Sequence, residues 1–170
     1  AAGARLWATY YGGPLWESGK SVATDASGNV YIAGHTASTS SIASGGFQNT
    51  LGGAQDAFLV KFDANGVRQW ATYYGGTDND DAESVVADTS GNVYLAGRTY
   101  SASGIASGGF QNTFAGPAFG SDAFLVKFDA GTGARIWATY YGTAVGNEFG
   151  TTAVDVSGNV YLAGMTGSVS

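Results

Sequence analysis

A chain of 170 residues with 44% hydrophobic and 14% aromatic side chains can bury a substantial single core and is too apolar to be disordered. Seven basic against thirteen acidic residues leave a net charge of -6 with no Lys/Arg cluster, so nucleic acid is excluded as a partner because a phosphate backbone would be repelled. No cysteine is present for disulfides or thiolate metal sites, and no apolar run reaches the roughly 20 residues of a membrane helix, so no membrane insertion is expected.

The opening Ala1-Ala2-Gly3-Ala4 has neither an initiator Met nor a signal-peptide pattern, so the chain reads as a processed product or a segment of something longer. The first strong phrase follows, Trp-Ala-Thr-Tyr-Tyr-Gly from Trp7 to Gly12. It returns at Trp70 and Trp137, and Gly-Asn-Val-Tyr at Gly28 returns at Gly91 and Gly158. Both phrases step by 63 and then 67 residues, which makes the chain a tandem repeat with units at about 7–69, 70–136 and, incompletely, 137–170.

Each unit resolves into short β-prone segments bounded by Gly, Asn or Asp. A first strand is predicted at 21–24, 84–87 and 151–154, with small side chains suited to a crowded centre. A turn led by Asp25, Asp88 or Asp155 follows; these aspartates read as structural caps that accept hydrogen bonds from the following backbone N–H groups. The second strand starts at Val30, Val93 or Val160.

A long connection comes next, 35–55 in the first unit and the longer 98–121 in the second, both carrying Ala-Ser-Gly-Gly-Phe-Gln-Asn-Thr. Phe47 and Phe110 are expected to plug into the fold. The third strand, 57–62 and 123–128, is apolar at almost every position, the pattern of a strand covered on both faces. A tight hairpin led by Asp63 or Asp129 returns it into the Trp phrase, the fourth strand, whose aromatics can pack across a neighbouring sheet.

Tandem four-stranded antiparallel sheets, apolar on both faces, pack as propeller blades. The predicted fold is therefore an all-β propeller, one segment over 1–170, incomplete at about 2.75 blades: a fourth strand at Trp7, two full sets of four, then a first and second strand. A sandwich or a β-helix is the alternative. An open arrangement exposes strand edges, so other copies of the chain, or the rest of a longer repeat protein, are the expected partners.

The linked motifs Asp-Ala-Phe-Leu-Val-Lys-Phe-Asp, Trp-Ala-Thr-Tyr-Tyr-Gly-Gly, Asp-x-Ser-Gly-Asn-Val-Tyr-Leu-Ala-Gly and Gly-Gly-Phe-Gln-Asn-Thr resemble the bacterial SBBP repeat, named for a seven-bladed β-propeller. The resemblance implies a propeller in an exported or surface-associated bacterial protein and brings no catalytic residues to carry over. A charged fraction of only 12%, with a surface built from Gly, Ser, Thr and Asn, points the same way, to an extracellular or cell-surface location.

Candidate site residues follow from where the units differ. The long connections and the blade-joining loops should share one face, the expected binding face. Trp16 breaks the repeat in a joining loop, and Tyr100, Phe114 and Phe119 are aromatics of the second insertion with no counterpart, so these four are the ligand-facing candidates for a glycan or a protein. Asp78, Asp80, Asp81 and Glu83 form the one acidic cluster, read as a joining loop whose oxygens suit Ca²⁺. His35, the single histidine, is read as a solvent-facing loop residue outside any triad.

Trp7, Trp70 and Trp137 could stack on sugars, but repetition at one strand position favours blade-to-blade packing. The expected function is thus a non-catalytic structural or interaction module for scaffolding or adhesion, with no cofactor. The alternatives are a glycan-binding propeller and, on the likeness of 129–133 with Trp137 to the blade signature of quinone-dependent dehydrogenases, a cofactor enzyme.

Overall fold

The computed structural model describes residues 3–117, 120–145 and 147–167. Ten strands occur among them: β1 (Glu17–Thr24), β2 (Val30–Thr36), β3 (Asp56–Phe62), β4 (Arg68–Tyr74), β5 (Asp80–Ala87), β6 (Asn92–Thr99), β7 (Asp122–Asp129), β8 (Arg135–Tyr141), β9 (Asn147–Val154) and β10 (Val160–Thr166). They form two antiparallel four-stranded sheets in sequence order, β1-β2-β3-β4 and β5-β6-β7-β8, and a two-stranded sheet of β9 and β10. The molecule is an incomplete propeller of two whole blades and the first half of a third.

Two boundaries differ from the sequence reading. Among the described residues the Trp7 phrase forms no ladder strand, since no third strand lies beside it to accept its hydrogen bonds, and the strands number ten rather than eleven. The first strands start four residues early, at Glu17 and Asp80, so the acidic segment at Asp80 is strand and not loop. What hid the extension is a β-bulge between Gly19 and Ser21, between Ala82 and Ser84, and opposite Ala163 and Gly164, which interrupts the alternation at the same place in each blade. The bulge brings backbone against the second strand: a Cβ on Gly34 or Gly97 would lie 1.9 or 1.8 Å from the carbonyl oxygen of Ser18 or Asp81. Only glycine fits there.

The long connections add backbone pairing to the blades. Ser44 and Ala71 exchange two backbone hydrogen bonds of 2.9 Å, and the Tyr73 N–H donates to the Gln48 carbonyl, so the insertion runs down the outer edge of β4 as a partial fifth strand. Ser107, Ala138, Gln111 and Tyr140 repeat this along β8. This pairing covers an edge that would otherwise recruit other strands.

The first strands of successive blades lie next to one another and are laced by hydroxyls. Ser21 Oγ accepts from the Val85 N–H, and Ser84 Oγ from the Thr152 N–H, both at 3.1 Å. Further out, aromatics fill the junction. Trp70 is 3% exposed, packs on Tyr31 of its own blade and donates its indole N–H to the Ala130 carbonyl of the next blade at 3.1 Å. A Cβ on Gly133, where φ is +71°, would sit 2.8 Å from the Trp70 ring, and one on Gly66 would sit 2.7 Å from Trp7, so each hairpin glycine is the seat of the preceding Trp.

The Tyr-Tyr pair completes the joint. Tyr73 OH donates to the Ser38 carbonyl in its own blade, while Tyr74 OH donates to Ile105 in the next one. Tyr11 OH makes the matching bond to Ile42. Ile42 and Ile105 are the buried plugs of the insertions, which corrects the expectation for the phenylalanines. Phe47 stays partly exposed with the Arg135 guanidinium of the next blade 4.3 Å from its ring centre, and Phe110, with no outer strands of a third blade beyond it, is 88% exposed.

Candidate functional site

The joining loop between β4 and β5 is organised by two buried carboxylates. Asp80 accepts from the Gly76 N–H at 2.8 Å, from Ser101 Oγ at 2.9 Å and from Thr99 Oγ1. Asp56 accepts from the N–H groups of Gly52 (2.8 Å) and Gly53 (3.1 Å) and from Gln48 Nε2 (2.9 Å). Gly75 lies between them, with room for no Cβ: it would be 2.5 Å from Asp56 Cγ and 2.6 Å from Asp80 Oδ2. Burial pushes both carboxyls up, against the hydrogen bonds donated to them, and Asp80 reaches about 7.

That network holds a frame on which side chains differ between blades. The Ser101 hydroxyl accepts from the Asp78 N–H at 2.9 Å, and the Tyr100 N–H donates to the Asn79 carbonyl at 3.0 Å. One repeat earlier, Ser38 Oγ accepts from the Leu15 N–H at 2.8 Å and the Ala37 N–H donates to the Trp16 carbonyl. The backbone is the same, yet it carries Leu15, Ala37 and Leu51 in the first blade and Asp78, Tyr100 and Phe114 in the second.

Asp78, Tyr100 and Phe114 line one open cleft of about 420 Å³, together with Ala102, Gly116, Pro117 and Gly120. Phe114 is fixed there, edge-on to Tyr140 with ring centres 5.9 Å apart. Gly116 runs so close that a Cβ on it would fall 2.6 Å from Phe114 Cζ. Three of the residues singled out in the sequence therefore meet in one place, and Phe119 lies outside the described residues.

The other candidates are dispersed. Asp80 is enclosed as described, Glu83 is the bulge residue of β5, and Asp81 accepts from Arg98 Nε at 2.8 Å and from Gln55 Nε2. The acidic stretch is thus separated by strand geometry into four environments, and no group of three or more His, Asp or Glu able to hold a metal ion exists among the described residues. His35 is not a loop residue; it belongs to β2, half-buried, with Nδ1 3.2 Å from Asp81 Oδ1 and the Trp16 ring edge-on at 5.4 Å. Burial holds its imidazole below the ordinary pKa, with Asp81 opposing. Trp16, 54% exposed, thus sits over the His35 pair and outside the cleft.

At the opposite end of the blades Asp25, Asp88 and Asp155 hold the tight turns. Asp88 accepts from the N–H groups of Ser90 and Asn92 (both 2.8 Å), from Asn92 Nδ2 (2.6 Å) and from Tyr94 OH (3.1 Å). Burial acts to raise Asp25 and Asp88, but the hydrogen bonds, led by the Asn29 and Asn92 side chains, prevail and keep both carboxyls below the usual range. Sequence reasoning missed Asp56, whose signal was an Asp standing immediately before each fully apolar third strand, at Asp56 and Asp122.

The model of the SBBP β-propeller repeat matches residues 6–40 and 69–104. Two stretches of the chain are thus similar to the SBBP repeat. Each SBBP match begins at the Trp phrase and ends in the insertion, so it takes the fourth-strand position of one blade and the first two strands of the next. The stretch matched in each case is therefore the joint between blades. Comparison with curated proteins finds no match.

Proposed function

We propose that this propeller segment is a non-catalytic binding module of a secreted or cell-surface bacterial protein, acting as a scaffold that presents the second blade's cleft to a ligand. The observation that carries the reading is the departure of Asp78, Tyr100 and Phe114 from the first repeat on an unchanged backbone frame. Residues that hold blades together recur at every joint; residues that recur nowhere and share an open cleft are free to serve recognition. The two carboxyls raised by burial, Asp56 and Asp80, are fully enclosed by their donors, which suits them to structure and not to attack on a substrate.

The same reading includes completion of the ring by further repeats of this protein or by other copies. Its support is the contrast between equivalent side chains: Tyr74 is 0% exposed with its hydroxyl satisfied by the next blade, whereas Tyr141 on the last complete blade is 60% exposed. Sedimentation velocity tests that part, a strictly monomeric species at all concentrations rejecting association between copies.

The binding reading is tested by following backbone amide signals while titrating neutral sugars, organic ammonium ions and carboxylates. Ligand-dependent shifts confined to the segments at 76–80, 99–102 and 114–117 are expected for at least one class. Absence of shifts there with every class removes the reading.

A further inference from the structure

The chemistry of the cleft is lopsided. Its described lining offers two aromatic rings, Tyr100 and Phe114, and one carboxylate, Asp78, with Ala102, Gly116, Pro117 and Gly120 contributing carbon and backbone. No Lys, Arg or His is among the described residues that line it, and the Arg98 guanidinium of β6 is engaged by Asp81 at 2.8 Å. An anionic ligand would meet the Asp78 charge with nothing to offset it. A neutral sugar needs several convergent donors and acceptors, and this wall supplies one carboxylate and one phenol hydroxyl. A divalent ion needs six or more oxygens around it.

An alkylammonium group matches every part of the lining. Its charge is attracted by the faces of aromatic rings and by a carboxylate, and its methyl groups need apolar contact and no hydrogen bonds. We propose, building on the reading of this cleft as the binding site, that it recognises a methylated ammonium head, either of a small choline-like molecule or of a methylated lysine side chain. Part of the wall is preorganised: Phe114 is wedged between Tyr140 and the Gly116 backbone, and the main chain at Asp78 and Tyr100 is fixed by hydrogen bonds to Ser101 and Asn79. A ring that need not be ordered on binding, as Phe114 need not, loses little entropy.

The test is a titration of the whole chain with choline and, in parallel, with its uncharged isostere 3,3-dimethyl-1-butanol, read by amide shifts and calorimetry. Choline is expected to shift the cleft amides and to bind about tenfold more tightly than the isostere, the discrimination a cation-π site with a carboxylate provides. Asp78→Asn and Tyr100→Ala should each weaken choline about tenfold with unchanged melting temperature. A trimethyl-lysine peptide distinguishes the two sources: tighter binding than choline assigns a protein partner, weaker binding a small molecule, and both support the site.

Equal binding of choline and the isostere overturns the proposal, and so does Asp78→Asn without effect. If choline gives no shift up to roughly 10 mM while a neutral sugar shifts the same amides, the ammonium assignment fails and the binding module stands. If nothing shifts them, both fall. The isostere comparison needs no variant and so remains decisive even where a substitution disturbs folding.

Discussion

Truncating the same tryptophan in three successive repeats should cost far more at the middle position than at the other two. Trp70 is 3% exposed and closes a joint between two whole blades, where its indole meets Tyr31, the Gly133 backbone and the Ala130 carbonyl. Removing a buried Trp side chain costs about 3–5 kcal/mol through lost transfer energy and the cavity left behind, and Trp70→Ala should fall in that range. Trp70→Phe keeps a ring in the joint and loses the indole donor. The Ala130 carbonyl still accepts from Lys61 Nζ at 2.8 Å, so no buried acceptor is orphaned and the loss should be about 1–2 kcal/mol.

Trp137 packs on Tyr94 within its own blade, ring centres 6.2 Å apart, and among the described residues no hairpin of a third blade covers it. Trp7 is likewise half-buried, against Phe62 and Gly66. About 1–2 kcal/mol is expected for Trp→Ala at each of these, in proportion to the smaller area withdrawn from water. Urea denaturation of the four variants, followed by far-UV circular dichroism, measures the series. Equal losses at the three positions, or a loss at Trp70 below about 1 kcal/mol, would refute the assignment of these residues to the blade joint.

Three further outcomes are expected. Because burial raises Asp80 to about 7 in the fold, its protonated form is favoured by folding; this contribution is full below the unfolded carboxylate pKa and is lost as pH rises through 7. Asp80→Asn should therefore gain on the wild type by up to about 4 kcal/mol between pH 4 and pH 8. Measuring the difference between the two proteins cancels Asp56, which acts in the same direction, and His35, whose buried imidazole acts in the opposite one. A flat difference across that range refutes the enclosed-acid reading. Asp88→Ala removes four hydrogen bonds at a buried turn and should cost about 2–3 kcal/mol by urea midpoint, more than Asp155→Ala at the equivalent exposed turn; the reverse order would be incompatible with capping that depends on burial. Gly97→Ala drives a Cβ to within 1.8 Å of the Asp81 carbonyl and should cost about 3 kcal/mol or more, seen as lost soluble yield and a lowered midpoint; stability within about 0.5 kcal/mol of wild type would mean the bulge is not rigid.

The repeat, the strand order and the propeller class were determined by the letters alone, because short apolar β-prone segments, Asp-led turns and recurring aromatics are local signals repeated at fixed offsets. The apolar third strands at Ala57 and Ala123 and the turns at Asp25, Asp88 and Asp155 needed no tertiary knowledge. Tertiary structure decided where the first strands begin, since a bulge at Lys20 and Glu83 breaks the alternation that marks a strand. It also decided that Ile42 and Ile105, not Phe47 and Phe110, fill the joint: which apolar residue of a loop is buried depends on what the next blade sets opposite it. The fate of the acidic stretch belongs to the same class, because strand geometry turns Asp80 inward, Asp81 toward Arg98 and Asp78 into the cleft. Tyr100 and Phe114 could be singled out in the sequence as unmatched, but only the fold brings residues 14 apart in the chain to one wall with Asp78, since proximity across loops is a property of the packed blades and not of spacing.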